Sequence, residues 1–476
     1  MSRRLQWGFS DFGISFYPRP AGLFFFDRNA GKRYNGIIYE HRWNNMRIAI
    51  YTLGCKVNQY ETQAMETILR QRGHELVSFS DAADAYIVNT CTVTALSDAK
   101  SRQKIHRARA LNPDAVVAVC GCSAQTDPET YEKMGVVDLI YGTGDRMQFL
   151  DDLERIVHGR QKVNVDEVMR RRAFEFLPAG GLEGRTRCML KVEDGCVNFC
   201  TYCAIPYARG PVRSLPLDQA VSETARLAGE GYQELVITGI EISSWGHGLK
   251  NGLSLIDLME AVCAAAPAMR IRLGSLEPRT ITEDFCRRAA VLPNLCPHFH
   301  LSLQSGCDAT LKRMNRKYDT ARYLESCDLL RRYFDDPAIT TDLITGFPGE
   351  TEEEFDQTLD FLRRAAFSSM HIFPYSRRKG TPACDFPDQV TNAVKKERAH
   401  RATAVAAEME QAYLSRQLGK TAPVLFEEEK DGLWRGHTPN YIEVRAQSED
   451  DLHNQLRQVT LDAIDGTRLL GKLVNA

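Results

Sequence analysis

Hydrophobic positions fall into three successive patterns along the chain. Between residues 46 and 159, short apolar runs alternate with stretches of amphipathic character. Such alternation reads as buried strands followed by helices, and repeated βα units build a parallel sheet. Strands are expected over 48–53, 85–89, 115–119 and 139–141, with helices over 61–72, 99–110 and 147–157. Across 182–411 a strand-then-helix unit recurs about six times, with strands over 188–192, 235–239, 271–273, 299–303, 340–344 and 370–373. Helical patterns between them include 217–229, 253–266, 323–334 and 352–366. Six such units suggest an open, partial TIM-type barrel, which carries its chemistry on loops at the carboxyl ends of the strands. From residue 412 the pattern becomes short alternating strands, PVLFEEE, LWRGH, YIEVRA, QVTLDAI and LLGKLV, as in a small β-barrel. The first 45 residues follow neither period and read as a weakly ordered or non-native extension, since Met46 opens the first clean strand. The fold class is therefore α/β. A Rossmann-like α/β domain (46–159) precedes a partial (β/α)6 barrel (182–411) and a C-terminal small β-barrel (412–476).

Composition narrows the function classes. A formal net charge of −2 over 476 residues excludes a bulk polycation, so a nucleic-acid partner would be held by local patches. Three basic clusters qualify: Lys100, Arg102, Lys104, Arg107 and Arg109; Lys312, Arg313, Arg316 and Lys317; and Arg377, Arg378 and Lys379. Any one such run is usually only a solvated face. Fourteen cysteines without a secretory context point to a reducing cytoplasm and to metal ligation or burial. No apolar run approaches the ~18 residues needed to span a bilayer. A cytoplasmic protein with no membrane partner is expected.

Six of the cysteines carry a pattern. Cys196, Cys200 and Cys203 stand in GCVNFCTYCAIP, directly after the first barrel strand. Thiolates are the usual ligands of iron–sulfur clusters, and three of them leave one iron of a cubane open. A structural zinc site would ask for four N/S ligands, and no fourth is obvious nearby. Cys55, Cys91 and Cys122 follow three successive strands of the N-terminal sheet, where an open α/β sheet gathers its ligand site. Cys120 lies at the end of a strand and reads as core. Cys263, Cys286, Cys296, Cys307, Cys327 and Cys384 lack cluster spacing and read as structural.

The C-x3-C-x2-C spacing strongly resembles that of the radical S-adenosylmethionine (SAM) enzymes. TLGCKVNQYET, NTCTVT and GCSAQ resemble the cysteine motifs of the methylthiotransferase family among them, and the first is most similar to the MtaB subfamily. The resemblance covers essentially all of 46–476. It implies two [4Fe-4S] clusters. One, on Cys196, Cys200 and Cys203, binds SAM at its open iron and yields a 5′-deoxyadenosyl radical. An auxiliary cluster on Cys55, Cys91 and Cys122 supplies sulfur, and a second SAM supplies methyl. Tyr202 occupies the position where the family places an aromatic residue near the SAM adenine. Further SAM contacts are expected from Glu277, Gln304 or Ser305 at strand ends. The tail resembles the RNA-binding TRAM domain. The implied reaction is methylthiolation at C2 of N6-threonylcarbamoyladenosine-37 in the tRNA anticodon loop, with an electron donor such as flavodoxin or ferredoxin and a sulfur source as partners. Alternatives are isopentenyladenosine-37 in tRNA, a ribosomal-protein aspartate, or a non-catalytic iron–sulfur RNA-binding redox sensor.

Overall fold

Apolar runs too short for helices set the first sheet. The computed structural model describes residues 45–178, 180 and 185–474, so the extension expected over 1–45 lies, Asn45 apart, outside the described residues. Strands β1 (Arg47–Thr52), β2 (Glu75–Val77), β3 (Ala85–Thr90), β4 (Val116–Gly121), β5 (Leu139–Tyr141) and β6 (Lys162–Asn164) form one parallel sheet in the order β2-β1-β3-β4-β5-β6. β3 and β4 are buried at every residue, as expected of central strands covered on both faces. The strand order reverses between β1 and β3, where ligand crevices form beyond the carboxyl ends. Helices Lys56–Gln71 and Ala95–Leu111 begin earlier than the periodicity suggests, so each starts close after a cysteine loop. Thr94 caps the second by accepting from the Ser97 N–H. β6 is absent from the sequence reading because three largely exposed residues carry no period.

The middle of the chain builds an arc of parallel strands. β7 (Arg187–Lys191) is followed by the two-residue strands β8 (Glu193–Asp194) and β9 (Arg213–Ser214), which pair antiparallel and bracket the Cys196 loop. Then come β10 (Glu234–Thr238), β11 (Arg270–Leu273), β12 (Ser275–Leu276), β13 (His298–Leu301), β14 (Ala338–Thr345) and β15 (Ser369–Pro374). They form the ordered sets β11-β10-β7 and β12-β13-β14-β15, all parallel. Only Gly274 separates β11 from β12, so the two sets continue one another. Leu190, Leu235, Ile271, Phe299 and Leu343 share the core with residues of the intervening helices. This is the TIM-like α/β arrangement the pattern implies.

Helix Asn392–Ser415 leads into a closed antiparallel-rich barrel of β16 (Thr421–Lys430), β17 (Leu433–His437), β18 (Glu443–Ala446), β19 (Leu456–Asp465) and β20 (Arg468–Leu473), in the order 16-17-18-20-19. Closure removes the exposed strand edges. Its core holds Val424, Phe426, Trp434, Val444 and Leu461. The segment 437–441 docks where the arc's strands begin. Arg270 donates to the His437 carbonyl at 3.1 Å and Arg272 to that of Pro439 at 2.8 Å. Arg187 reaches Glu427 at 2.7 Å and the Tyr441 hydroxyl at 3.1 Å.

Candidate active site

Cys55, Cys91 and Cys122 come from the carboxyl ends of β1, β3 and β4, and one side chain stands among them. Asn58, fully buried, donates through Nδ2 to the carbonyls of Leu53 (2.8 Å) and Thr90 (3.0 Å), so it ties the ends of β1 and β3 together. Its Oδ1 lies 4.0 Å from the sulfurs of both Cys55 and Cys122. Gly54 has φ +116°, and a Cβ there would stand 3.2 Å from the Cys91 sulfur, so glycine permits this approach. Cys55 is exposed, while Cys91 and Cys122 are buried. Cys120 is packed in the sheet core with Ile87, Tyr141 and Phe149, and Cys122 opens the short helix Cys122–Thr126.

The Cys196–Cys203 loop is also fixed by its neighbours. Gly195 (φ +96°) precedes it, where a Cβ would collide with the Pro211 carbonyl at 2.2 Å. The Cys196 N–H donates to the Gly210 carbonyl (3.0 Å), and the Thr201 N–H to that of Met314 (3.1 Å). Asn315 donates to the Phe199 carbonyl at 2.9 Å. Arg316 points Nη1 at the Cys200 sulfur, 3.2 Å away, and rests on the Tyr318 ring at 4.8 Å. Tyr202 packs edge-on to Phe347. Of the expected SAM contacts, Gln304 holds a left-handed backbone (φ 70°) and exchanges main-chain hydrogen bonds with β14. Glu277 pairs with Arg279 at 2.8 Å, and Ser305 is buried against Thr358.

A buried ionic cluster joins the two cysteine regions. Arg209, on the helix after the Cys196–Cys203 loop, donates to Asn58 Oδ1 at 2.8 Å and pairs with Glu61. Glu61 also meets Arg146 at 3.0 Å and Lys191 at 3.4 Å. Asp194 lies within 3.3 Å of Lys191 and Arg213 and 3.5 Å of Arg209. Burial opposes ionisation of Glu61, but Arg209, Arg146 and Lys191 outweigh it and hold the carboxyl far below its ordinary range. Of these cations, Arg209 also faces Cys122 and favours its thiolate.

The donor chemistry of the cysteines fits iron–sulfur clusters. Burial and the neighbouring Cys122 push Cys91 up to about 12, and burial with Cys203 nearby pushes Cys196 to about 12. Burial raises Cys122 as well, against the pull of Arg209. Three adjacent thiolates therefore need a compensating cationic centre. Among the described residues no three His, Cys, Asp or Glu side chains are placed to share one metal ion. A cluster makes no such demand, since each thiolate binds a different iron.

Sequence reasoning missed the residues that organise these sites. Asn58 and Glu61 sit inside the TLGCKVNQYET motif and Arg209 inside CAIPYARG, where polar residues beside cysteines were the available signal. The basic clusters divide between part-buried contacts and exposed positions. Arg313 pairs with Glu354 (2.9 Å), Arg316 faces Cys200, and Arg378 donates to Thr92 (2.7 Å) and pairs with Asp98. Lys312, Lys317, Arg377 and Lys379 remain exposed, as do Lys100, Arg102 and Arg107.

Below Cys55 lies a cavity of about 830 Å³, bounded by the arc and the tail barrel. Its wall includes Cys55, Lys56, His298, His300, Asp342 and Tyr441. His300 bonds Thr340 at 3.0 Å and lies 3.4 Å from Asp342, and His298 stacks on Tyr441. Among the described residues no helix is long and apolar enough to cross a membrane.

Known proteins resemble the chain in both sequence and fold. Residues 47–142 match the uncharacterized protein family UPF0004, and residues 190–362 match the Radical SAM superfamily. The threonylcarbamoyladenosine tRNA methylthiotransferase MtaB of Bacillus subtilis is 38% identical over 420 residues, 87% of this chain and 93% of that protein. Its namesake in Aquifex aeolicus is 37% identical over 414 residues, covering 87% and 99%. A tRNA-2-methylthio-N(6)-dimethylallyladenosine synthase of Pelotomaculum thermopropionicum is 33% identical over 389 residues, covering 80% and 87%. In fold, the chain is similar to the radical SAM methyltransferase TsrM of Kitasatospora setae (TM-score 0.51, 18% identity, 71% of this chain and 77% of that one). The chain belongs to the tRNA methylthiotransferase family of radical SAM enzymes, and its cofactors are SAM and two [4Fe-4S] clusters.

Proposed function

We propose that the protein methylthiolates C2 of N6-threonylcarbamoyladenosine at position 37 of tRNA. The observation that carries this reading is the Arg209–Asn58 contact, which joins the two three-cysteine regions, with Cys55 of the first lining a cavity. The activity for which the MtaB relatives are named supplies the substrate. Cys196, Cys200 and Cys203 would hold the SAM-binding cluster, and Cys55, Cys91 and Cys122 the auxiliary one. When bound, the clusters and SAM supply the radical and sulfur chemistry that an unactivated aromatic C–H demands. Arg316 offsets negative charge at Cys200, and Arg209 does the same at Cys122. The Asn58 amide holds the strand ends so that the first three cysteines face a common space. The cavity lined by Cys55 would receive the base.

The domains follow the same reading: a methylthiotransferase N-terminal domain over 46–159, a radical SAM core over 182–411 and a TRAM domain over 412–476. Exposed Lys312, Lys317, Arg377 and Lys379 suit phosphate contacts, which position RNA without reading its sequence. The target base must leave its stack to reach a site this deep. An electron donor such as flavodoxin or ferredoxin and a sulfur source complete the partners. The test is the reconstituted protein with SAM, a reductant and tRNA carrying N6-threonylcarbamoyladenosine. Mass spectrometry should find the 2-methylthio nucleoside. Reductive SAM cleavage without that product, on a tRNA shown to bind, would refute the substrate.

A further inference from the structure

We propose that Lys56 recognises the carboxylate of the threonyl group on the substrate base, and so sets substrate choice. The inference rests on the tRNA reading above. A threonylcarbamoyl substituent ends in a free carboxylate, whereas the dimethylallyl substituent named for other relatives is uncharged. A site that tells them apart needs a cation with no carboxylate of its own, and that contact gains strength as the bound base excludes water.

The cavity beneath Cys55 holds one such cation, exposed in the free protein. Lys56 is the only lysine or arginine in its wall among the described residues. None of the hydrogen bonds or ion pairs of the described residues engages its ammonium. The nearby arginines are engaged: Arg272 and Arg270 bind Glu234 (2.7 and 2.8 Å), and Arg187 binds Glu427. The carboxylates of the wall also have partners. Asp342 faces His300, Glu443 is held by Arg435 and Arg445 at 3.2 Å, and Glu410 meets Ser369. Lys56 is also the first residue of helix Lys56–Gln71, which has no acidic residue in its first turn, so the helix end adds positive potential.

A second unpaired group belongs to the same wall. His298, 6% exposed, bonds Thr340 through Nε2 at 3.3 Å but leaves Nδ1 without a partner. With Thr340 and His300 it forms a polar surface suited to hydroxyl and ureido groups. Lys56 adjoins Cys55 in the same wall, which puts the cation at the cysteine end of the cavity.

The experiment compares two anticodon stem-loops, one with N6-threonylcarbamoyladenosine and one with its carboxylate converted to the primary amide. Binding is read by fluorescence anisotropy, and methylthio product by mass spectrometry. The wild-type protein should prefer the carboxylate by about tenfold or more, as for a hydrogen bond to a charged group. Lys56→Met should bind both equally and weakly, with unchanged iron content and melting temperature. Lys56→Arg should restore part of the preference. A wild-type protein indifferent to the amide, or a Lys56→Met protein that keeps the preference, overturns the role of Lys56 while leaving the tRNA reading intact. A wild-type protein that binds the carboxylate stem-loop and cleaves SAM but makes no methylthio product from it overturns the tRNA reading itself.

Discussion

Arg209 donates to Asn58 Oδ1 at 2.8 Å, and that oxygen lies 4.0 Å from the sulfurs of Cys55 and Cys122. One guanidinium thus links the helix after the Cys196–Cys203 loop to the rim of the N-terminal sheet. Its partner Glu61 is fully buried and depends on cations for its charge. Breaking a buried ion pair from one side costs about 3–5 kcal/mol, because the other charge is left uncompensated. Arg209→Leu should therefore lower the unfolding free energy by about that much in urea titrations. A loss below about 1 kcal/mol would show that the cluster tolerates the change and does not lock the two regions.

The two cysteine sets should fail differently. Cys196→Ala is expected to abolish deoxyadenosine formation from SAM while retaining about half the iron, since one cluster remains. Cys91→Ala should still cleave SAM but make no methylthio nucleoside. Iron analysis and product chromatography on both variants check this. Methylthio product from Cys91→Ala would remove Cys91 from the auxiliary site.

Arg316 places a positive charge 3.2 Å from the Cys200 sulfur. A nearby cation favours the reduced, more negative form of a cluster. Arg316→Met should therefore move the midpoint potential of the SAM-binding cluster to a more negative value in an EPR-monitored titration, and Arg316→Lys should recover part of the shift. An unchanged potential in Arg316→Met would leave Arg316 a packing role only.

Acid should loosen the seam between the arc and the tail barrel. Burial opposes ionisation of Glu234, yet Arg272, Arg270 and Arg187 hold it at about 2. The folded value lies below the unfolded one, so this stability is present above the ordinary carboxyl range, about 4.3, and is lost as pH falls toward 2. The linkage amounts to about 3 kcal/mol. Glu234→Gln should reduce the decline of stability between about pH 5 and 2 by a comparable amount. An identical decline in both proteins would count against the assignment.

The sheets were legible because their strands are short apolar runs, and strand ends are where chain topology gathers distant cysteines. The C-x3-C-x2-C loop was legible as spacing alone. What organises those cysteines was not. Arg209 and Asn58 are 151 positions apart, and Arg378 and Asp98 are 280 apart, so no local period marks either pair. Arg313, Arg316 and Arg378 read in sequence as surface charge, but each points at a carboxylate or a sulfur inside the fold. Lys56 and His298 gain meaning only from the cavity that the arc and tail barrel enclose.

The most direct measurement is mass spectrometry of tRNA nucleosides from cells lacking the gene, complemented with wild type, Cys91→Ala or Cys196→Ala. Only the wild-type copy should restore 2-methylthio-N6-threonylcarbamoyladenosine, with the unmethylthiolated nucleoside accumulating in the other two. Full levels of the methylthio nucleoside in the deletion strain, with no second gene of this family present, would contradict the account.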